Sequence, residues 1–418
     1  MTRFSALALL CEGVHGQKGW TRHWRDPAPA KHYDVVVIGG GGHGLATAYY
    51  LANSHGVRSV AVLERAWIGG GNTGRNTTIV RSNYRLPELQ RLLEFSLKTW
   101  ETLSDELNYN VMFSQRGALV LGHSDADMTK LAERGDALRC AGIDAELMSR
   151  EEIGRLVPLL DLSADARFPV VGGLIQRRGG TARHDAVAWG FARAADALGV
   201  DIVQNCEVTG FEIVAGKVTA VVTSRGVIGA GRVGICVAGS SGVVAGLAGL
   251  KLPIESHLLQ AFVSEPVKPM IDTVIQSQSM HCYISQSDKG EIVLGGDPDY
   301  YPTYSQRGSP HRIEHVAAQA IALMPALSRL RMLRGWAGTT DMSFDGSPII
   351  SPTPVEGLYL NGGWCYGGFK ATPGSGRVYA HMLATGEADE IAAPFSLDRF
   401  ARGATIDEPG AGPAPQAR

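Results

Sequence analysis

The beginning of the chain alternates between strand-like and helix-like patterns. Residues 33–38 form a mostly apolar run rich in β-branched side chains, which is typical of a buried parallel strand. Residues 39–44 are glycine except for one histidine, and the mainly apolar residues 45–52 that follow predict a helix. Val60–Leu63 is a second apolar run. This order predicts the strand, turn, helix and strand of an α/β fold.

Later segments carry both patterns again. Residues 184–198 predict an amphipathic helix, and residues 201–208 predict a strand that follows it. Alternating or strand-like apolar positions occur at 117–121, 261–263 and 291–295. We expect these three segments to build a mixed sheet in a second, α+β domain that is interleaved with the first.

The glycine-rich turn carries the first chemical signal. Gly39, Gly41 and Gly44 satisfy the pattern GxGxxG, and Gly42 and His43 lie within it. Such glycines permit a tight turn, close approach of the backbone to a pyrophosphate, and packing of the helix on the strand. A chance glycine-rich turn is the alternative. The strand, the helix and the acidic residue described next favour a dinucleotide site.

Glu64 ends the second strand, 25 residues after Gly39. Its carboxylate can accept hydrogen bonds from ribose hydroxyls and would repel the extra phosphate of NADP, so NAD or FAD remains. A second glycine-rich strand and helix occur much later, at 358–376. This long return suits FAD, whose flavin lies far from its adenine. Val208 is a candidate main-chain contact to adenine, and a plain core valine is the alternative.

The predicted fold class is α/β: a Rossmann-like FAD-binding domain with an interleaved α+β substrate domain that carries a mixed sheet. The FAD-binding domain is expected at 33–107, 173–252 and 330–395, the substrate domain at 108–172 and 253–329, an N-terminal arm at 1–32 and a C-terminal tail at 396–418. The arm, which contains Trp20 and Trp24, either lies on another surface or is loose. The tail is rich in Gly, Ala and Pro beyond residue 403.

Composition narrows the class of protein. The 39 Lys and Arg residues against 41 Asp and Glu give a net charge of −2, which argues against nucleic acid as the main partner. Six scattered cysteines without a CxxC pair indicate a reducing compartment and no metal site. No apolar stretch approaches the roughly 20 residues of a membrane-spanning helix. With no evident export signal, we expect a cytoplasmic location and no membrane partner.

Several motifs appear in one order: GGGGHGLATAYYLA from Gly39, GGN and RNTT within 70–78, SQRG at 114–117, RHDAVAW at 183–189 and GGFKATPGSG at 367–376. With these motifs, the chain closely resembles the β subunits of heterotetrameric sarcosine oxidases from about residue 33 to 407. The wider relatives are FAD-dependent amine oxidases of the D-amino-acid oxidase type.

The resemblance implies that the substrate is sarcosine, a small zwitterion. It implies that Arg81 grips the substrate carboxylate, for which a guanidinium fork is suited, whereas a surface arginine or one that neutralises the pyrophosphate is the alternative. It also implies that Lys370 lies beside the flavin and binds carboxylate or stabilises negative charge on the reduced ring. The expected contacts to FAD are Gly39, Gly41, Gly42, His43, Gly44, Glu64, Asn72, Thr77, Ile79, Val208, Gly368 and Lys370.

The same resemblance implies a second flavin. His184 would carry FMN covalently through the 8α-methyl group, and Arg183 would neutralise the FMN phosphate or the N1 locus of the ring. A helix-terminal histidine that pairs with Asp185 is the alternative. Single-subunit relatives tether FAD through a cysteine before an Asp-x-x-Pro stretch, and residues 336–348 contain no cysteine. FAD is therefore expected to be noncovalent. Cys365 and Tyr366 depart from the family pattern and leave the local loop geometry in doubt.

In such enzymes, electrons pass from FAD to FMN and then to oxygen, which gives hydrogen peroxide. The imine yields glycine with formaldehyde or 5,10-methylenetetrahydrofolate. Folate and NAD sites are expected on the α subunit, and the partners are the α, γ and δ subunits. Oxidation of dimethylglycine, glycine, proline or a D-amino acid is one alternative. A noncatalytic electron-transfer subunit is another, and an NAD-dependent dehydrogenase is a weaker one.

Overall fold

The computed structural model describes residues 5–16, 18, 22–163 and 165–408. The α-helices of this part are α1 (Ala6–Val14), α2 (Gly42–His55), α3 (Pro87–Glu106), α4 (Asp125–Cys140), α5 (Arg150–Leu156), α6 (His184–Ala197), α7 (Ser241–Gly246), α8 (Pro310–Leu323) and α9 (Gly368–Thr385). The strands are β1 (His32–Ile38), β2 (Val60–Leu63), β3 (Ile79–Val80), β4 (Ala118–Gly122), β5 (Glu146–Ser149), β6 (Gly172–Gln176), β7 (Gly180–Thr181), β8 (Asp201–Val203), β9 (Val208–Val214), β10 (Lys217–Thr223), β11 (Gly226–Ile235), β12 (Ile254–Pro266), β13 (Val274–Ser277), β14 (Cys282–Gln286), β15 (Glu291–Pro302), β16 (Met332–Ser343), β17 (Ile349–Pro352) and β18 (Leu358–Gly362).

The predicted strand, turn, helix and strand form the centre of the first sheet, whose order is β17-β18-β11-β1-β2-β8. Strand β1 pairs in parallel with β2 and β11, and β8 and β18 extend the parallel region at either side. The β9–β10 hairpin adds to β11. Because parallel strands end at one edge of a sheet, the turns after β1, β2 and β11 lie together.

Helices α2, α3, α6 and α9 pack beside this sheet and share one apolar core. Buried residues of that core include Leu45, Tyr50, Trp100, Phe191 and Tyr379. Burying a side chain of the size of Leu or Phe contributes roughly 1.5–3 kcal/mol. The predicted amphipathic helix at 184–198 is α6, and the long return predicted at 358–376 is β18 followed by α9. The core therefore fixes both glycine-rich turns relative to each other.

The second sheet has the order β16-β12-β15-β14-β13-β4-β6-β5. The three segments with alternating or strand-like positions became β4, β12 and β15, all in this sheet. Strands β13 and β4 are parallel while their other neighbours are antiparallel, so the sheet is mixed, as predicted. A separate apolar cluster, which includes Leu119, Phe262 and Ile284, packs on it.

Two expected domain boundaries need correction. Strand β6 begins at Gly172 and β16 spans Met332–Ser343, and both pair within the second sheet rather than the first. Strand β16 pairs with β12 from Ile254↔Ser343 to Ser264↔Met332. This pairing joins segments that are far apart along the chain, and no local pattern indicates it.

Residues at both ends of the described chain contact the folded body, and the C-terminal end differs from expectation. Helix α1 has no buried residue, whereas Trp24 packs against the first core and Arg25 forms an ion pair with Asp196 at 2.8 Å. At the other end, Arg399 is 1% exposed and forms a buried ion pair with Asp345, so residues 396–408 belong to the folded body and not to a tail. Trp20 and residues 409–418 lie outside the described residues.

The described residues bear on the expectations about a membrane span and a metal site. Within that part of the chain, no helix has the length and apolar character needed to cross a membrane. There, too, no group of three or more His, Cys, Asp or Glu side chains is placed to hold a metal ion. All six cysteines are free thiols, four of them buried.

Candidate active site

A cavity of about 630 Å³ runs from the turns after β1, β2 and β11 to the second sheet. Ligands of open α/β sheets bind at the carboxyl ends of the strands, and this cavity occupies that position. The predicted residues that line it are Gly39, Gly41, Gly42, His43, Glu64, Asn72, Thr77, Ile79, Arg81, Val208, Gly368 and Lys370. Gly44, Arg183 and His184 do not line it.

The turn after β1 requires glycine for steric reasons. Gly39 has φ +110°, and a Cβ there would lie 2.3 Å from the carbonyl oxygen of Cys236. A Cβ on Gly44 would lie 2.0 Å from the carbonyl oxygen of Gly39. Gly44 therefore permits α2 to pack against β1, the role expected of the third glycine, without reaching the cavity.

The next features suit the nucleotide half of FAD. The first turn of α2 faces the cavity, and a helix N-terminus favours a pyrophosphate. The Thr73 hydroxyl accepts the Gly42 N–H at 2.9 Å. The Glu64 carboxylate ends β2 at the cavity wall and accepts the N–H groups of Gly40 at 2.8 Å and Ala66 at 2.9 Å. These two bonds hold its oxygens at the position where ribose hydroxyls are bound in dinucleotide folds.

His43 connects the two glycine-rich elements. Its Nδ1 lies 2.6 Å from the Ser375 hydroxyl, its Nε2 lies 2.8 Å from the carbonyl oxygen of Gly368, and its ring contacts Trp364. Burial lowers the pKa of His43 to about 4, so the imidazole is neutral. A neutral ring that donates from Nε2 and accepts at Nδ1 satisfies both neighbours. His43 therefore ties α2 to α9 at the cavity wall.

Two cationic side chains of the cavity wall, those of Arg81 and Lys370, converge on the Tyr84 ring. The Arg81 guanidinium donates to Asn83 Oδ1 at 2.6 Å, and its buried Nε has no hydrogen-bond partner. Lys370 is 7% exposed, and its Nζ donates to the carbonyl oxygen of Tyr366 at 2.7 Å. Arg81 lies 4.5 Å and Lys370 Nζ 5.9 Å from the centre of the Tyr84 ring. Both cations retain donors that could bind one carboxylate.

The charge state of Lys370 depends on what occupies the cavity. Burial, and secondly the charge of Arg81, lower the pKa of Lys370 well below its ordinary value of 10.5. An anion bound between the two cations would raise that pKa again. The site therefore couples anion binding to proton binding at Lys370 Nζ.

Sequence reasoning missed much of the cavity wall. The missed residues include Gly239, Ser240, Gln260, Gln276, Tyr283, Thr340, Asp341, Trp364, Cys365 and Tyr366. For Gly239 and Ser240 there was a signal in the sequence, because they lie in the turn four and five residues after the end of the apolar strand β11. The others lie on the second sheet or on the loop before α9, which only long-range pairing brings together.

Asp341 is a buried carboxylic acid in the cavity wall. It accepts the Gly363 N–H at 2.6 Å, and burial raises its pKa to about 6. Cys365, two residues beyond Gly363, has a left-handed φ of +50° and a thiol within 3.6 Å of the Gly363 carbonyl oxygen. Burial raises the pKa of this thiol to about 12. The departure from the family pattern is thus accommodated by an unusual backbone conformation.

Similarity to known proteins identifies the family to which this chain belongs. A family described as "DAO: FAD dependent oxidoreductase" matches residues 34–382. The chain belongs to the FAD-dependent oxidoreductase family. Sarcosine oxidase subunit beta from Rhizobium meliloti (strain 1021) is 57% identical over 99% of each chain. Sarcosine oxidase subunit beta from Rhodobacter capsulatus is 50% identical over 98% of each. Within the oxidoreductase family, the chain belongs with these β subunits.

A solved structure of this oxidoreductase family has the same architecture. L-proline dehydrogenase from P. horikoshii superimposes with a TM-score of 0.84 at 28% identity and covers 90% of this chain and 99% of its own. The predicted fold class and the resemblance to the sarcosine oxidase β subunits are confirmed.

Arg183 and His184 lie apart from the FAD cavity of this oxidoreductase, at the start of α6. Arg183, and not His184, pairs with Asp185, at 2.8 Å. His184 is half-buried, and its Nδ1 has no hydrogen-bond partner. Burial, opposed by Asp185, lowers the pKa of His184. An imidazole that is neutral and unpartnered at Nδ1 has the electronic character of a nucleophile.

Proposed function

We propose that the chain is the subunit of a sarcosine oxidase in which sarcosine is demethylated oxidatively to glycine. The observation that carries this proposal is that Arg81 and Lys370 converge on Tyr84 in the wall of the same cavity that Gly39 and Glu64, with their dinucleotide features, also line. Bound FAD would accept the two electrons and the hydrogen from the N-methyl group. The names of the two β-subunit relatives support the choice of substrate.

The residues of the chain bind and orient the amino acid. The Arg81 guanidinium can bind both oxygens of a carboxylate, and Lys370 Nζ can contribute a further charged hydrogen bond. The Tyr84 ring lies against both cations and leaves them few positions. A substrate fixed at its carboxylate has its small N-methylamine directed away from the cations. Holding the substrate in one orientation next to the flavin would lower the entropic part of the reaction barrier.

We propose that FAD is held noncovalently, by Gly39, Gly41, Gly42, His43, Glu64, Asn72, Thr77, Ile79, Val208 and Gly368, with Gly44 acting through helix packing. The segment at which single-subunit relatives carry their cysteine has none here. Cys365 lines the cavity, but its raised pKa disfavours the thiolate that would be the nucleophile.

We also propose that His184 carries FMN covalently and that Arg183 interacts with the FMN phosphate or ring. The neutral ring of His184 supports this assignment. Electrons would pass to FMN and then to oxygen. The word "subunit" in the names of the relatives supports a multi-subunit enzyme, for which we propose α, γ and δ partners, with the NAD and folate sites on the α subunit.

The function is tested by product analysis of the assembled enzyme. With sarcosine we expect glycine, formaldehyde and hydrogen peroxide in equal amounts, with 5,10-methylenetetrahydrofolate replacing formaldehyde when tetrahydrofolate is added. Dimethylglycine, glycine, proline and D-alanine serve as competing substrates. A higher kcat/KM for one of them would replace sarcosine as the substrate, and no turnover of any would favour an electron-transfer subunit.

The FMN assignment predicts a modified peptide. Acid precipitation of the assembled enzyme, followed by mass spectrometry, is expected to find an FMN adduct on the peptide that contains His184. Replacing His184 with asparagine should remove the adduct and leave FAD in the supernatant. Replacing His381 of helix α9 with asparagine should leave the adduct in place. An unmodified His184 peptide from active enzyme would refute the covalent linkage.

A further inference from the structure

Arg81 lies at the start of an irregular segment, residues 81–86, which we call the Arg81 segment. It connects β3 to α3 and has no helix or strand of its own. Side chains from other elements hold its backbone: Gln176 accepts the Ser82 N–H at 2.9 Å, Gln90 donates to the carbonyl oxygens of Tyr84 and Arg85 at 3.1 Å, and Arg134 donates to that of Asn83. The position of the Arg81 guanidinium therefore depends on residues that do not line the cavity.

Glu408 also holds the backbone of the Arg81 segment, and of the residues that do so it lies farthest away in sequence. Its two carboxylate oxygens accept the N–H groups of Arg85 at 2.7 Å and of Leu86 at 2.9 Å. Leu86 is the N-cap residue of α3 and has no capping hydrogen bond from its own side chain, and Pro87 has no N–H. Glu408 thus supplies from the C-terminal region the anionic cap that this helix lacks locally.

Glu408 is itself held firmly in place. It is 6% exposed, and its N–H donates to the carbonyl oxygen of Asp345 at 3.2 Å. Two residues earlier, Ile406 donates to the Asp345 carboxylate at 3.0 Å and accepts from the Ser347 hydroxyl at 2.6 Å. Asp345 is fixed in turn by its buried ion pair with Arg399. These contacts with the folded body therefore fix the position of the Glu408 carboxylate.

Glu408 also interacts electrostatically with two residues, Arg134 and Tyr84, that interact with Arg81. Arg134 is buried behind the Arg81 segment, and burial together with the charge of Arg81 lowers its pKa to about 9. The charge of Glu408 opposes that shift and also acts on Tyr84, whose ring contacts Arg81 and Lys370. Glu408 is the carboxylate that offsets the positive charges gathered around Tyr84.

We propose that Glu408 is a positioning residue for substrate binding: by capping α3 and holding Arg85 and Leu86, it sets where Arg81 meets the substrate carboxylate. This inference rests on the proposed function, in which Arg81 binds that carboxylate. It assigns to the C-terminal residues 404–408 a part in completing the amino-acid site. Glu408 does not touch the substrate.

The test compares Glu408→Ala with Asp407→Ala in the assembled enzyme. Asp407 is the neighbouring carboxylate and is exposed, so its loss controls for charge and for local chain composition. For Glu408→Ala we expect a roughly tenfold rise in the KM for sarcosine and in the Kd for acetate, with kcat within about twofold and unchanged FAD content. Glu408→Gln retains one acceptor and should give an intermediate rise.

A merely structural role would lower the melting temperature of Glu408→Ala without changing KM or the Kd for acetate, and that result would overturn the proposal. If Glu408→Ala does not assemble, Glu408→Gln decides by the same two constants. Arg81→Met separates this inference from the proposed function. Should Arg81→Met impair acetate binding while Glu408→Gln and Glu408→Ala equal wild type, only the positioning role fails. Should Arg81→Met have no effect, Arg81 does not bind the substrate carboxylate and the positioning role fails with it. The proposed function itself fails only if the assembled wild-type enzyme does not turn over sarcosine.

Discussion

Replacing Arg81 with methionine is expected to lower kcat/KM for sarcosine by roughly 100-fold or more, mostly through KM. A hydrogen bond to a charged group contributes about 1.5–3 kcal/mol, and a guanidinium can form two of them with one carboxylate. Arg81 lines the cavity, and the one hydrogen bond described for its guanidinium goes from one terminal nitrogen to Asn83, so other donors remain for a ligand. Methionine preserves much of the length of the side chain and its contact with Tyr84, but it removes every donor.

The measurement is steady-state kinetics on assembled enzyme with its full FAD content. Arg139→Met is the matched control, because Arg139 is an exposed arginine of α4 that pairs with Asp136 outside the cavity. It should equal wild type. An Arg81→Met enzyme with the kcat/KM of the control would remove Arg81 from the substrate site.

The second large effect concerns Lys370 and pH. In the empty site, burial and Arg81 lower the pKa of Lys370, so the ammonium loses its proton at a lower pH than an ordinary lysine. A bound carboxylate favours the charged form and raises that pKa, so binding takes up a proton. The Kd of acetate should therefore be lowest at pH values above the pKa of acetic acid and below the pKa of Lys370 in the empty site. It should rise tenfold per pH unit above the pKa of the empty site, until the pKa of the complex is reached.

Lys370→Met should bind acetate roughly 10- to 100-fold more weakly in the pH range where wild type binds it most tightly and lose this part of the pH dependence. Acetate is the ligand of choice because it has no amine that titrates. Arg134, with a pKa of about 9, is present in both proteins, so the difference between the two profiles isolates Lys370. Parallel profiles for wild type and Lys370→Met would show that Lys370 does not titrate with ligand binding.

Local sequence was sufficient to predict the glycine-rich turn after β1 and the place of Glu64 after β2, both at the cavity wall. The apolar run before Gly39, the glycines and Glu64 lie close together in the chain and in space. Their residue types alone indicate which of them are buried and which permit the tight turn. The strands and helices could also be predicted from local sequence, because apolar periodicity indicates which face of an element is buried.

Arg81 and Lys370 were the predicted residues of the proposed amino-acid site, and both line the cavity, but their roles came from the resemblance and stay predictions. Other residues of the cavity wall come together through pairings without a local signal. Strand β16 brings Asp341 to the cavity by pairing with β12, and the Asp345–Arg399 pair brings Glu408 to α3. The composition rich in Gly, Ala and Pro from residue 403 onward predicted a C-terminal tail outside the fold, whereas a few buried polar contacts hold residues 406–408 against the folded body.

The central claim is that the chain holds a flavin next to cations that fix a small amino acid. It is tested most directly by adding sarcosine to the oxygen-free, assembled enzyme while the visible flavin spectrum is recorded. We expect the FAD absorbance to bleach at a rate that saturates with sarcosine, and Arg81→Met to require far more sarcosine for the same rate. A full complement of flavin that stays oxidised in the presence of saturating sarcosine would contradict the account.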